Sequence, residues 1–270
     1  MGQKDGSKMG STAHWYETGY EGAEREAERQ SFGQPPDRLW QPGGNTKEVV
    51  FVDDAPFCIR EHQWRDSNGR WHWATCIAKI SEQGCPACEK KPIGHAAYVG
   101  YYTLVDVSGY VTRDGEENKY RMILCPAKTK VLNKFKQKKE NRGTLTGQLW
   151  NLSRADSNTA STGDDLDHVR EINLKGLFDV ATFKGKPLAE MISKANAPGP
   201  EGLRVRKYLS HFFRLPDEGE IPAQLPVFNY PSILAPMESA DIRAAAADVQ
   251  PYGAKTGGGG ASSGSDDIPF

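Results

Sequence analysis

Phe57-Cys58-Ile59-Arg60-Glu61-His62-Gln63-Trp64-Arg65, then Asp66-Ser67-Asn68-Gly69, then Arg70-Trp71-His72-Trp73-Ala74-Thr75-Cys76, is the stretch on which the reading of this chain turns. Two runs rich in aromatic and β-branched residues flank an Asn-Gly pair, a strong short-range signal for a β-hairpin. A two-residue turn at Asn68-Gly69 sets His62 opposite Thr75 and diagonal to Cys76. Beyond the hairpin, Cys85-Pro86-Ala87-Cys88 makes a tight knuckle. His62, Cys76, Cys85 and Cys88 together supply the four nitrogen and sulfur donors that one structural zinc takes in a tetrahedron. His72, four residues before Cys76 on the same strand, lies about 13 Å from it at the usual rise, too far to share an ion. Cys58 and Cys125 read as buried thiols.

Outward from the hairpin, further strands are expected at Glu48–Val52, Tyr98–Val105, Tyr120–Cys125 and Gly147–Arg154. A helix is expected at Thr129–Glu140, with others at Pro187–Lys194, Leu203–Phe213 and Ala240–Val249. Short strands around one internal helix predict a mainly β (α+β) fold. The expected architecture is an OB-type barrel with an inserted zinc subdomain at about residues 57–95 and peripheral helices. Residues 1–44 read as an N-terminal arm with one helix candidate at Tyr16–Gln30, residues 45–235 as the core, and residues 236–270 as a helix, linker and tip. The linker, Gly257 to Gly264, consists of Gly, Ala and Ser and reads as a flexible tether.

The 270-residue chain carries a net charge of −1, which hides a local imbalance. From Lys128 to Arg142, Lys128, Lys130, Lys134, Lys136, Lys138, Lys139 and Arg142 face a single acid, Glu140. The plain alternative is a solvated helix face. Acids gather instead at Glu17 to Glu28, Asp164 to Asp167, Asp217 to Glu220 and the C-terminal tip. No apolar stretch is long enough to span a bilayer, and no signal peptide is evident, so a reducing, cytoplasmic setting is expected for the thiols.

A positive groove with interleaved aromatic rings suits single-stranded nucleic acid, whose phosphates are neutralised while any base can stack. Trp150 and Arg154 share one strand face and pair a stacking ring with a guanidinium. Tyr98 and Tyr102 share a face across Gly100, where bases can approach closely. Arg121, Lys128, Lys130 and Lys134 are expected to join this groove. Trp71 and Trp73 are expected to cover the metal site. A thioredoxin-like redox pair would leave Cys76 and His62 unexplained. A zinc deaminase would require His-x-Glu, and Gln63-Trp64 follow His62. Enzymatic activity is therefore not expected.

These residues carry a resemblance. Leu39-Trp40, Val50-Phe51-Val52-Asp53-Asp54, Glu61-His62, Cys76, Cys85-Pro86-Ala87-Cys88, the run Arg121 to Lys128, and Gly143-Thr144-Leu145-Thr146-Gly147 resemble the zinc-bearing single-stranded DNA-binding proteins of tailed bacteriophages. That family is distantly similar to the helix-destabilising protein of T-even phages. The terminal Asp266-Asp267-Ile268-Pro269-Phe270 is similar to the acidic tip of bacterial single-stranded DNA-binding proteins. The resemblance implies a protein that coats single strands in phage replication, recombination and repair, in the cytoplasm of the infected host. It also implies that the tip recruits replication or recombination partners. An RNA-binding or transcription-linked zinc-ribbon protein is the alternative. The T-even proteins carry a basic N-terminal arm, whereas Glu17 to Arg29 here holds five Glu and two Arg.

Overall fold

In the computed structural model, the described residues are 33 and 35–249, apart from 92, 112–114, 116, 158–160 and 248. The helix expected at Tyr16–Gln30 and the terminal Asp266-Asp267-Ile268-Pro269-Phe270 lie outside them. A compact unit begins at Pro36. Among the described residues it is mixed α+β, with a nine-stranded sheet, a two-stranded ribbon and seven helices.

The spine of the sheet is β4 (Ala97–Asp106), whose residues from Val99 to Asp106 are all buried. An unbroken buried run of this kind belongs to a strand covered on both faces. Along one edge it pairs with β7 (Arg121–Lys128), from Val99 opposite Lys128 to Asp106 opposite Arg121. Its other edge is shared. β2 (Phe57–Arg65) takes the first half and β1 (Thr46–Phe51) the second. β1 then pairs with β8 (Gln148–Ser153), which pairs with β9 (Asp165–Glu171). The hairpin partner of β2 is β3 (Trp71–Thr75). A small ribbon, β5 (Tyr110–Val111) with β6 (Glu117–Asn118), stands apart. At the far edge β10 (Thr182–Phe183) and β11 (Lys186–Pro187) form a hairpin around Lys184 and Gly185, both at positive φ, as a type I′ turn demands.

This order, β11-β10-β7-β4-β1-β8-β9, has two free ends. Among the described residues no ladder joins them, so the sheet is open rather than the closed barrel expected. The strand and helix positions expected from the sequence recur close to their expected ends. β9 was not expected: Asp-Leu-Asp-His-Val-Arg-Glu offers one fully buried residue, Leu166, and its pairing comes from β8 rather than from its own propensity.

Two helices matter for the site. Helix α1 (Pro86–Glu89) carries the knuckle. Helix α2 (Thr129–Arg142) follows β7 directly and stops at Gly143, whose φ of 85° permits its N–H to reach the Lys139 carbonyl. It buries Val131 and Phe135 against the sheet. The Phe135 ring meets Phe51 and Tyr102 edge-on at 5.3 and 5.6 Å. Such a ring contributes about 2–3 kcal/mol by leaving water. The remaining helices, α3 (Leu174–Val180), α4 (Leu188–Asn196), α5 (Pro200–Phe212), α6 (Tyr230–Ile233) and α7 (Ser239–Ala245), follow β9. None among the described residues is long and apolar enough to cross a membrane.

Two core clusters bear on the site. The larger joins Val49, Phe51, Tyr102, Leu104, Ile123, Phe135 and Trp150. The smaller lies beneath the β2–β3 hairpin and joins Trp64, Ala74, Ile77, Cys85, Ala87, Ile93, Ile242 and Ala246. Leu39 belongs to the larger core and exchanges backbone hydrogen bonds across Leu124, so residues 37–39 are woven into the sheet.

Candidate metal centre and the sheet face above it

The hairpin turn is one residue longer than expected. Asp66 N–H donates to the Arg70 carbonyl and Gly69 N–H to the Asp66 carbonyl, leaving Ser67, Asn68 and Gly69 as a three-residue loop. Gly69 has a φ of 76°, and the Asp66 carboxylate accepts from the Asn68 and Arg70 N–H groups. This is a type I turn closed by a left-handed glycine, with an Asx brace. The register therefore sets His62 opposite Ala74, not Thr75. The correction matters, because side chains alternate along a strand. With Thr75 opposite His62, Cys76 would point through the other face. With Ala74 opposite, Cys76 lies two residues on, on the face of His62, and its N–H continues the ladder to the Arg60 carbonyl at 2.8 Å.

The knuckle completes the cluster. Pro86 opens α1 directly after Cys85, and Cys88 N–H returns to the Cys85 carbonyl at 3.0 Å, which turns both thiols to one side. Cys76 Sγ is 3.6 Å from Cys88 Sγ, and His62 Nε2 is 3.6 Å from Cys85 Sγ and 3.3 Å from Cys88 Sγ. All four ligand atoms lie within 4.8 Å of one another. Bond lengths near 2.3 Å to sulfur and 2.0 Å to nitrogen imply tetrahedral edges of about 3.5–3.8 Å. The four residues fit a single tetrahedral metal ion and could hold one.

The electrostatics agree. Burial and the neighbouring Cys76 and Cys85 sulfurs push the Cys88 thiol up to about 12. Burial alone would also raise Cys85, but backbone hydrogen bonds at Ile77, Cys88 and Ala87 outweigh it and favour the thiolate. Burial lowers His62, favouring the neutral ring that a ligand must be. A dication among three crowded sulfurs reverses the repulsion that keeps Cys88 protonated. His72 is no ligand; its Nε2 meets Asp66 at 2.9 Å and its ring stacks on Trp64. Cys125 is buried in the main core, and Cys58 is half-buried outside the cluster.

The residues expected in a nucleic-acid groove do not converge. Trp150 is fully buried, and its Nε1–H donates to the Leu145 carbonyl at 3.1 Å. Arg154 is buried as well, with Nη1 on the Gln41 carbonyl at 2.8 Å. Their strand is covered on that face by α2 and the loops beside it, so neither group meets solvent. Tyr102 lies in the same core, while Tyr98 is 46 % exposed. Gly100 between them serves helix packing, not bases: a Cβ there would come within 2.6 Å of Leu132 on α2. Arg121 is held by Asp106 at 2.9 Å and Asp37 at 3.1 Å, and covers the Tyr110 ring.

The basic helix is largely partnered at rest. Lys130 lies 3.6 Å from Asp164, Lys138 3.2 Å from Asp167 and Lys136 3.7 Å from Glu140. Lys139 donates to the Asp54 carbonyl, and Arg142 contacts His168. The acids of β9, remote in sequence, thus sit beside the lysines of α2. Lys130 and Lys134 line an open groove of about 500 Å3 together with the largely buried Arg154, and Asp164 and Asp165 offset part of its positive charge.

A different cationic strip appears on the outer face of the hairpin. Trp71 and Trp73 point away from the metal ligands, because odd and even residues of β3 face opposite ways; they do not cover the metal as expected. The Arg65 guanidinium lies 4.5 Å from the Trp71 ring, and that of Arg38 4.6 Å from Trp73. Lys128 shares this face through its pairing with Val99, lining a small pocket with Glu61 and Gln63. Trp71, Trp73, Arg65, Arg38 and Lys128 are all half-exposed. Of these, sequence reasoning placed only Lys128 in the groove. The alternation Gln63-x-Arg65 opposite Trp71-x-Trp73 was the available signal, but the misplaced turn obscured it.

No known family profile, no curated protein and no solved structure matches this chain.

Proposed function

We propose that this protein binds single-stranded DNA without reading its sequence, as a non-enzymatic coating protein of phage replication, recombination and repair. The observation that carries the reading is the strip of two tryptophans, each paired with an arginine, beside Lys128 on one sheet face. An indole on an open strand offers a base a stacking partner, while the Arg65 guanidinium and the Lys128 ammonium meet phosphates and Arg38, held by Glu61, positions Trp73. The exposed ion pairs of α2 are individually worth little, so its lysines can be traded for phosphates. The metal in this reading is one structural zinc, since a donor set of three Cys and one His favours it and all four positions are filled by protein. The zinc holds the back of the hairpin whose front carries the rings. An OB-type ancestry of the core is supported by the order β7-β4-β1-β8-β9 with α2 between β7 and β8, although the sheet is open. In this reading Asp266 to Phe270 recruits partner proteins in the infected host cytoplasm.

The test is a titration of the full chain with homopolymeric single strands, followed by tryptophan fluorescence at several salt concentrations. Tight, salt-sensitive binding that is indifferent to base identity is expected, with RNA bound more weakly. A clear RNA preference would favour the transcription-linked zinc-ribbon alternative, and no binding at low salt would overturn both.

A further inference from the structure

The metal layer is closed from behind by the last helix of the described chain. Ile242 and Ala246 are fully buried against Trp64, Ala74, Ile77, Cys85 and Ala87, with Cys76, Ala245 and Val249 at the margin. Trp64 Nε1–H donates to the Ala245 carbonyl at 3.2 Å, and the Thr75 hydroxyl to the Leu234 carbonyl at 2.9 Å. Asp66, at the hairpin turn, forms an antiparallel bridge with Val249. Every one of these contacts reaches a ligand, a residue adjacent to a ligand, or the strands that carry the ligands.

We propose that α7 is a metal-dependent latch: an occupied metal centre docks the helix and so anchors the root of the C-terminal segment, and loss of the metal releases both. This rests on reading His62, Cys76, Cys85 and Cys88 as a metal site. A seven-residue helix does not sustain itself in water, and α7 lacks a side-chain N-cap, so its order is borrowed from the surface beneath it. That surface consists of Trp64 near the end of β2, a five-residue strand, a four-residue helix and connecting turns. So small a layer has little core of its own, and ligand binding becomes its folding energy. Ala235 to Glu238, which lead into α7, are exposed and form no regular element, so the helix can lift without disturbing the main sheet. The consequence is functional: the metal decides whether the C-terminal segment starts from a fixed point on the hairpin or from Ala235.

The experiment uses the full chain. Elemental analysis comes first, and protein purified without bound metal under reducing conditions refutes the metal reading itself. With metal present, amide hydrogen exchange is compared before and after chelation. Amides of Ser239–Ala245 should lose at least about tenfold of their protection, while those of Thr129–Arg142 keep theirs. Equal protection of α7 with and without metal overturns the latch and leaves the metal reading intact. Coupling is reciprocal, so Ile242→Ser, which removes no metal donor, should weaken metal affinity by about tenfold, read by equilibrium competition with a chelator. Unchanged affinity in that variant overturns the proposal even if chelated protein proves too unstable for exchange.

Discussion

Arg38 grips the buried carboxylate of Glu61 with two parallel hydrogen bonds of 2.9 and 3.1 Å. Glu61 also accepts from the Tyr101 hydroxyl, and it precedes the metal-cluster residue His62 in the chain. The same guanidinium lies over Trp73. One arginine from the first described segment thus ties the sheet centre, the hairpin face and the approach to the metal cluster together.

Removing it should leave the buried Glu61 carboxylate without its cationic partner, held only by the Tyr101 hydroxyl. Arg38→Ala is expected to lower unfolding stability by about 3–5 kcal/mol, measured by urea titration. Arg38→Ala with Glu61→Gln should recover part of that loss, because the stranded charge is gone. A double variant no more stable than Arg38→Ala would show that the pair acts by packing alone.

Two tryptophans should behave oppositely. Trp73→Ala should weaken single-strand affinity by about 1–3 kcal/mol with little loss of stability. Trp150→Ala should lower stability by about 3–5 kcal/mol through its cavity. Fluorescence titration and thermal melts on both variants decide it; binding lost in Trp150→Ala while its melt is unchanged would return the DNA site to β8.

Asp53 is the buried carboxyl to watch with pH. Burial raises it from an ordinary 3.8 to about 6, although Tyr230 donates to it at 2.5 Å and Thr103 N–H at 3.1 Å. A raised folded value means the native state binds the extra proton, so this group's contribution is fullest below about 4 and is lost as pH climbs through 6. The difference is about 3 kcal/mol. Asp53→Asn should flatten that part of the stability profile between pH 4 and 6, read by denaturant unfolding at each pH. An identical slope in the variant would assign the titration to other carboxyls.

Gly100 is a packing requirement. An added Cβ meets Leu132 Cδ2 at 2.6 Å and Pro56 Cβ at 2.9 Å, so Gly100→Ala should lower stability by about 1–3 kcal/mol. Leu132→Ala in the same chain should relieve part of the strain. Additive losses in the thermal melts would mean that the helix does not press on this strand.

Much of the fold was legible locally. Val49-Val50-Phe51 and the β4 run announce covered strands, Gly143 marks the end of α2, and a Cys-x-x-Cys knuckle with Cys76 and His62 defines a donor set by type and spacing alone. The residues misplaced in the groove share one cause. Trp150, Arg154 and Tyr102 are chemically suited to a DNA groove, but suitability says nothing of which layer covers them. The packing of α2 on the sheet, through Phe135 and Leu132, removed that face from solvent.

The sequence by itself determined the positions of the main strands and of the longer helices, the identity of the four metal-cluster residues and the local clustering of basic charge, because each depends on residues near one another along the chain. Only the tertiary structure decided that Asp164 and Asp167 temper the lysines of α2. It likewise decided that a three-residue turn aligns Cys76 with His62. It also decided that α7 seals the cluster from behind, with Ala245 lying 181 residues after its partner Trp64. These outcomes depend on which surfaces meet in space, and a hydrophobic face or a carboxylate carries no label naming the distant partner that will bury or neutralise it.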